Sequence, residues 1–112
     1  MGEERRRYER FKVNLRVRWE GRQVSGEGLV TDISSAGCFI LANDLFVEQG
    51  DPVRVELLLP AGVIPLPGRV VYTADEIGFG VRFSPFLPDE DRRKLELLLK
   101  AEALRTQKKL MK

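Results

Sequence analysis

Alternation of apolar and polar residues predicts β-strands through the first three quarters of the chain. Between positions 12 and 20, every second residue is apolar: Val13, Leu15, Val17 and Trp19. A period of two residues is typical of a strand that buries one face. Arg16 and Arg18 occupy the other positions. We therefore expect both arginines on a solvated face.

Further short apolar runs follow, separated by residues that favour turns. The sequence predicts turns at 21–28, 34–37, 50–52 and 60–62, and strands at 29–33, 38–42, 53–59, 63–72 and 77–83. Pro65 and Pro67 lie inside one of these strands, and proline is confined to strand edges and bulges. Six or seven short strands without intervening helices predict a mainly β fold, a small antiparallel barrel or sandwich.

The pattern changes to a helical period after Pro85. Pro88 and the three acidic residues that follow it suit the first turn of a helix. Leucines at helical spacing then predict a helix from about 88 to beyond 104, which packs on the barrel as a lid or a flank. Leu97, Leu104 and Met111 are seven residues apart. This spacing leaves room for a homodimer formed through the C-terminal helix.

Composition limits the class of protein. The 112 residues fit one domain, and 43% hydrophobic with 32% charged residues is ordinary for a globular protein. Because no apolar run is long enough for a membrane span or a signal peptide, we expect a cytoplasmic protein without a membrane span. The chain has no histidine, which argues against a hydrolytic or zinc enzyme. Its single cysteine, Cys38, is predicted to be a small buried residue.

Charge is unevenly distributed along the chain. Residues 1–22 carry eight Lys/Arg against four acids, residues 23–87 three against eight, and residues 88–112 eight against five. A cationic start before an acidic middle favours a local site for an anion. It does not favour a protein coated with positive charge for nucleic acid.

Two polar motifs supply the chemistry that a guanine nucleotide needs. The first is the run Arg5-Arg6-Arg7-Tyr8-Glu9-Arg10, and the second is Asp32-Ile33-Ser34-Ser35-Ala36-Gly37. Guanidinium groups bind phosphate oxygens and the O6/N7 edge of guanine through paired hydrogen bonds. A carboxylate accepts hydrogen bonds from guanine's N1–H and amino group. Gly37 fits a close backbone approach to a ligand, or a left-handed backbone position.

The order of these motifs resembles the PilZ family. Arg6 and Arg10 match its R-x-x-x-R motif, and Asp32, Ser34 and Gly37 match its D-x-S-x-x-G motif. The run Gly78–Phe83 is similar to the strand that closes the family's barrel, so the resemblance covers roughly residues 3–86.

The resemblance implies a barrel of six or seven strands with a C-terminal helix, and a non-catalytic role. The implied ligand is the bacterial second messenger cyclic di-GMP, with no cofactor and no metal. The ligand-binding residues implied by the two motifs are Arg5, Arg6, Arg10, Asp32, Ser34 and Gly37. Arg69 and Tyr72 are additional candidates, because they lie on a strand that can contribute a ligand contact in the family. An Arg at position 5 is associated in the family with a stacked pair of ligands.

The sequence thus divides into three parts. The resemblance implies a flexible arginine-rich ligand-binding segment at residues 1–11, a PilZ-type barrel at residues 12–86, and a C-terminal helix with a basic tail at residues 87–112. Ligand is expected to order the first part over the turn at 32–37, and an unidentified downstream protein is expected to respond to that change in trans.

Two alternatives from other classes remain. One is a PilZ-like adaptor that binds proteins and no nucleotide, against which the intact motifs argue. The other is a small β-barrel that binds single-stranded nucleic acid on exposed aromatic residues along a basic groove. Few basic residues occur in the strands after position 22, and Trp19, Phe39, Phe79 and Phe83 are all predicted to lie in the core. We therefore do not expect nucleic-acid binding.

Overall fold

A computed structural model of the chain describes residues 9–42 and 47–110, which form six strands and one helix. The elements are β1 Phe11–Glu20, β2 Ser25–Ile33, β3 Gly37–Leu41, β4 Pro52–Leu59, β5 Gly62–Ala74, β6 Gly78–Phe83 and α1 Asp89–Leu110. All strand pairs are antiparallel, and the order β1-β2-β3-β6-β5-β4 closes into a barrel because β4 also pairs with β1. The predicted fold class is confirmed, and the structure selects the barrel over the sandwich.

The predicted turn at 21–28 is wrong in its second half. The turn ends early, because the Gly21 amide donates to the Val24 carbonyl at 2.6 Å and β2 begins at Ser25. Gly26 lies in β2 directly opposite Trp19, and a Cβ atom at Gly26 would lie 2.8 Å from the indole ring. The glycine here makes room for a large core residue and does not mark a turn.

The barrel interior is filled by the inward positions of all six strands. Trp19 packs edge-to-face against Phe79, with ring centroids 5.2 Å apart. The fully or nearly fully buried residues include Val17, Trp19, Val30, Ile33, Cys38, Ile40, Val55, Leu57, Leu66, Val70, Phe79, Val81 and Phe83. Phe39 is a correction to the predicted core. It is only half-buried, because Cys38 and Ile40 on either side of it point inward and Phe39 therefore points outward.

The two prolines of β5 lie where the strand has a neighbour on one side only. β4 pairs with β5 from Gly62 to Arg69, whereas β6 pairs with it only from Gly68 onward. The Pro67 carbonyl accepts from the Ser84 amide at 2.7 Å, so this residue's polar atoms face the β6 side. Pro65 lies two residues earlier in the strand, so its backbone nitrogen and carbonyl face the same side as those of Pro67. The prolines thus occupy a local strand edge, as predicted.

Helix α1 covers part of the barrel with one face. Leu95 belongs to the core, and Leu98 and Leu99 pack partly against it. Leu97 and Leu104 are 61% and 62% exposed on the other face. The homodimer that they suggest stays a prediction. No helix in the described part of the chain is long and apolar enough to cross a membrane.

Candidate ligand-binding site

The two polar motifs meet at one end of the barrel. Arg10 directly precedes β1, and the antiparallel pairing of β1 with β2 sets Phe11 opposite Ile33 and Lys12 opposite Asp32. The Arg10 Nη1 atom donates to Asp32 Oδ1 at 2.5 Å. The side chains are 59% and 32% exposed, respectively. A guanidinium and a carboxylate from the two motifs thus lie together on an accessible surface.

Ser34 builds the turn that follows Asp32. Its backbone amide donates to the Gly37 carbonyl at 2.8 Å, and its Oγ accepts from the amides of Ala36 and Gly37 at 3.1 and 3.2 Å. The residue is only 1% exposed. These bonds fix the backbone immediately after the carboxylate. A direct contact between Ser34 and a ligand stays a prediction, since the hydroxyl is occupied within the turn.

Gly37 is required by the approach of two strands. It pairs with Arg82 of β6, and a Cβ atom at this position would lie only 2.1 Å from the Val81 carbonyl oxygen. The alternative prediction of a left-handed backbone at Gly37 is wrong. In the described part of the chain, the glycines with positive φ are Gly50 and Gly62. The missing side chain lets β3 and β6 come close beside the turn.

An aromatic pair lies on the outer face of the same strands. Asp32 pairs with Phe39, Phe39 with Gly80, and Gly80 with Tyr72, so the four residues form one row across β2, β3, β6 and β5. The rings of Phe39 and Tyr72 stack over Gly80 with centroids 5.9 Å apart and planes at 21°. Tyr72 is 47% exposed. The sequence indicated Tyr72 as a candidate but missed Phe39, whose orientation depends on strand parity.

Arg69 lies one row further along the same face. Its Nη1 donates to the Gly50 carbonyl at 3.0 Å, and its Cα pairs with that of Arg82. The structure therefore places both additional candidates, Arg69 and Tyr72, on the outer face that begins at Asp32. Arg5 and Arg6 lie outside the described residues, as does most of the predicted segment 1–11.

Cys38 lies behind the site and is not a reactive group. The side chain is buried, as predicted, with 2% exposure. Burial, and after it the nearby negative charge of Asp32, raise the pKa of the Cys38 thiol to about 12, while Arg10 opposes the shift. The thiol is therefore protonated at neutral pH. Within residues 9–42 and 47–110, no group of His, Cys, Asp and Glu could hold a metal ion.

Comparison with solved structures shows the same fold in several proteins. The PilZ domain of YcgR from Escherichia coli, solved with c-di-GMP, superposes with a TM-score of 0.74 at 16% identity over 96% of this chain and 98% of that chain. The c-di-GMP complex of MrkH from K. pneumonia gives 0.73 at 18% identity over 92% of this chain and 53% of that chain. The chain thus spans about half the length of MrkH.

A third structure is the PilZ domain of CeSA from a cellulose-synthesizing bacterium. It has a TM-score of 0.67 and 18% identity, over 82% of this chain and 98% of that chain. No curated protein sequence matches this chain. The sequence profile of the family described as PilZ domain, however, matches residues 4–101, which include both polar motifs, all six strands and more than half of the helix. The chain belongs to the PilZ domain family.

Proposed function

We propose that the protein is a non-catalytic receptor for cyclic di-GMP. The observation that supports this most directly is the contact of Arg10 with Asp32, which joins the two motifs on an exposed surface. YcgR and MrkH, which share the fold, have been solved with c-di-GMP. The site has no histidine, no metal cluster in the described residues and no ionised nucleophile. Binding is therefore the chemistry that its groups support best.

The roles of the two contacting residues follow from their hydrogen-bonding capacity. The Asp32 carboxylate has about four acceptor positions, and Arg10 uses one of its oxygens. Guanine's N1–H and amino group take the remaining positions. The planar guanidinium of Arg10 has five donors, so it bonds a phosphate while it stays beside Asp32. The ion pair thus preorganises a donor and an acceptor for one nucleotide.

Further groups complete the site. Arg5 and Arg6, five and four residues before Arg10, neutralise the ligand's phosphates, and Arg5 holds a second, stacked ligand. Ser34 and Gly37 fix the turn, and its backbone presents polar atoms to phosphate or sugar oxygens. Tyr72, stacked on Phe39 and half exposed, offers an aromatic face to a base. Arg69 adds a cation on the same face.

The receptor transmits its state through its N-terminal segment. Binding draws residues 3–11 over the turn at 32–37, while the packed barrel core changes little. A downstream protein then recognises the altered surface. Hydrogen exchange tests this relay, because ligand-induced protection should concentrate in residues 3–11 and 31–38. Equal protection of the N-terminal segment with and without ligand would contradict the relay and leave the binding function intact.

Titration calorimetry tests the ligand. Wild type should bind cyclic di-GMP and should not bind GTP or a short oligonucleotide with comparable affinity. Arg10→Ala should weaken binding by about ten- to a hundredfold, because a hydrogen bond to a charged group contributes about 1.5–3 kcal/mol. Asp32→Ala should lose preference for cyclic di-GMP over cyclic di-AMP, since Asp32 accepts guanine's donors.

Arg18→Ala is the matched control. It removes an equally exposed arginine from β1, where Arg18 bonds Glu56 at 2.9 Å away from the turn. Its affinity should equal that of wild type. If the oligonucleotide binds more tightly than cyclic di-GMP, the result favours the alternative that the protein binds single-stranded nucleic acid. If no nucleotide binds wild type, the protein-binding adaptor becomes the better interpretation.

A further inference from the structure

Two arginines occupy directly opposed positions on adjacent strands beside the turn. The Cα atom of Arg82 in β6 pairs with Gly37 of β3 on one side and with Arg69 of β5 on the other. Both arginine side chains are exposed. Like charges directly opposite each other across an antiparallel pair destabilise a sheet. The sheet therefore carries an unfavourable pair of positions here, at which the Arg69 guanidinium is held toward the β4 side of β5 by its hydrogen bond to the Gly50 carbonyl.

The remaining arginines of the barrel surface have carboxylate partners. Ion pairs within 4.0 Å join Arg10–Asp32, Arg16–Glu27, Arg18–Glu56, Arg22–Asp51 and Arg54–Glu56. Neither Arg69 nor Arg82 has such a partner among the residues that the structure describes. Arg69 donates from one nitrogen to the neutral carbonyl of Gly50, which leaves its positive charge uncompensated. An anion from outside the chain would remove the repulsion.

The arginine pair also lies close to the proposed ligand. Arg82 is two residues along β6 from Gly80, over which Phe39 and Tyr72 stack, a distance of about 7 Å. Gly37, the other neighbour of Arg82, has no side chain to separate Arg82 from the turn. Asp32 lies two strands across the sheet and one row along it, so its Cα is about 12 Å from that of Arg82. A ligand that contacts Asp32 and the aromatic pair therefore has Arg82 within reach.

We propose that Arg82 and Arg69 together bind a phosphate group of the bound nucleotide, and that the sheet tolerates their repulsion for this purpose. The inference rests on the proposed function for the identity of the nucleotide. The phosphate belongs either to the ligand held by Asp32 or to a second ligand stacked on it. Neither motif includes Arg82, so the proposal adds a residue to the site.

The opposed charges predict an unusual combination of effects. In chloride buffer without ligand, Arg82→Gln should raise Tm by about 1–6 °C, because it removes the like charge at the position opposite Arg69. The same variant should bind cyclic di-GMP about ten- to a hundredfold more weakly. If the phosphate belongs to a second ligand, the variant should bind fewer ligands per chain by calorimetry. Its affinity for the ligand held by Asp32 should then equal that of wild type. A residue with a purely structural role would not gain stability and lose affinity together.

Arg18→Gln is the control, since it makes the same change in net charge at an arginine with a carboxylate partner. It should leave Tm equal or lower and affinity unchanged. Arg69→Gln should repeat the behaviour of Arg82→Gln. If wild type binds cyclic di-GMP and Arg82→Gln binds it with equal affinity and stoichiometry, the inference is wrong and the proposed function stands.

A separate probe tests the anion position without the nucleotide. Inorganic pyrophosphate, at constant ionic strength, should raise the Tm of wild type more than that of Arg82→Gln. If wild type binds no cyclic di-GMP but shows this difference, the proposed function fails and the anion position remains. An equal response of both proteins to pyrophosphate, together with no nucleotide binding, overturns both.

Discussion

The outer surface of the barrel has two regions built on different principles. On the β1–β4 side, charges of opposite sign face each other: Arg18 bonds Glu56 at 2.9 Å, and Arg54 lies 3.9 Å from the same carboxylate. On the β3–β6–β5 side, Arg69 and Arg82 occupy opposed positions, and glycines with the stacked rings of half-buried Phe39 and exposed Tyr72 replace the ion pairs. Both regions belong to one closed sheet.

The difference indicates that the β1–β4 side contributes to stability, whereas the β3–β6–β5 side is arranged for ligand binding. On the β1–β4 side each arginine has a carboxylate of the same chain within 4.0 Å, and Arg18 and Arg54 share Glu56. The β3–β6–β5 side leaves positive charge, an aromatic face and close-packed backbone exposed together, next to Asp32. Binding sites are commonly places where local rules of stability are not followed. Three measurements can break or sharpen this contrast.

The largest effect is expected at the close contact of β3 with β6. Gly37→Ala should lower the free energy of unfolding by about 2–4 kcal/mol, because the new Cβ would overlap a backbone oxygen that cannot move alone. Gly21→Ala, where a Cβ atom would meet its nearest neighbour at 3.4 Å, is the control and should change it by less than about 1 kcal/mol. Urea denaturation measures both. Similar losses in the two variants would show that the strand contact is not special.

The burial of the Cys38 thiol beneath the site should make the free energy of unfolding depend on pH, with an effect of intermediate size. The Cys38 pKa is raised from 9.0 to about 12 in the folded protein. Above pH 9 the unfolded chain therefore loses the thiol proton while the folded chain keeps it, and stability falls as pH rises. Between pH 8 and 10.5, wild type should lose about 2 kcal/mol more than Cys38→Ala. Parallel pH profiles of the two proteins would mean that the thiol ionises as readily in the barrel as in water.

The smallest effect is expected on the compensated side. Glu56→Gln removes the shared partner of Arg18 and Arg54, and exposed ion pairs contribute about 0.2–1 kcal/mol each. Thermal denaturation at low salt should show a slightly reduced Tm, opposite in sign to the increase expected for Arg82→Gln. An increase in Tm for Glu56→Gln would remove the distinction between the two sides.

The sequence predicts most of the barrel, because strict alternation of apolar and polar residues indicates a half-buried strand and no other element. For this reason the strands predicted at 12–20 and 53–59 begin within one residue of β1 and β4. The start of β2 was missed because Gly26 and Gly28 favour turns locally, and only the position of Trp19 across the strand pair explains a glycine there. Local sequence propensity carries no information on this contact between Gly26 and Trp19, which lie on different strands.

The site is predictable only as far as its motifs reach. Arg10, Asp32 and Gly37 are implied by motifs that resemble those of the family, but the apolar run at 38–41 does not show which residues point outward, and the prediction of Phe39 in the core is therefore wrong. Arg82 is hidden for a related reason. Its significance comes from the register that sets it between Gly37 and Arg69, and register is a property of paired strands.

The prolines of β5 have a consequence for how copies of the protein behave at high concentration. A free strand edge offers amide donors and carbonyl acceptors to another chain, and this is the usual start of edge-to-edge aggregation. Around Pro65 and Pro67, no residue of β6 pairs with β5, although the Pro67 carbonyl accepts from the Ser84 amide just after β6, and both prolines lack the N–H that an incoming strand would need. The two prolines thereby disfavour strand addition and exchange along this stretch of β5.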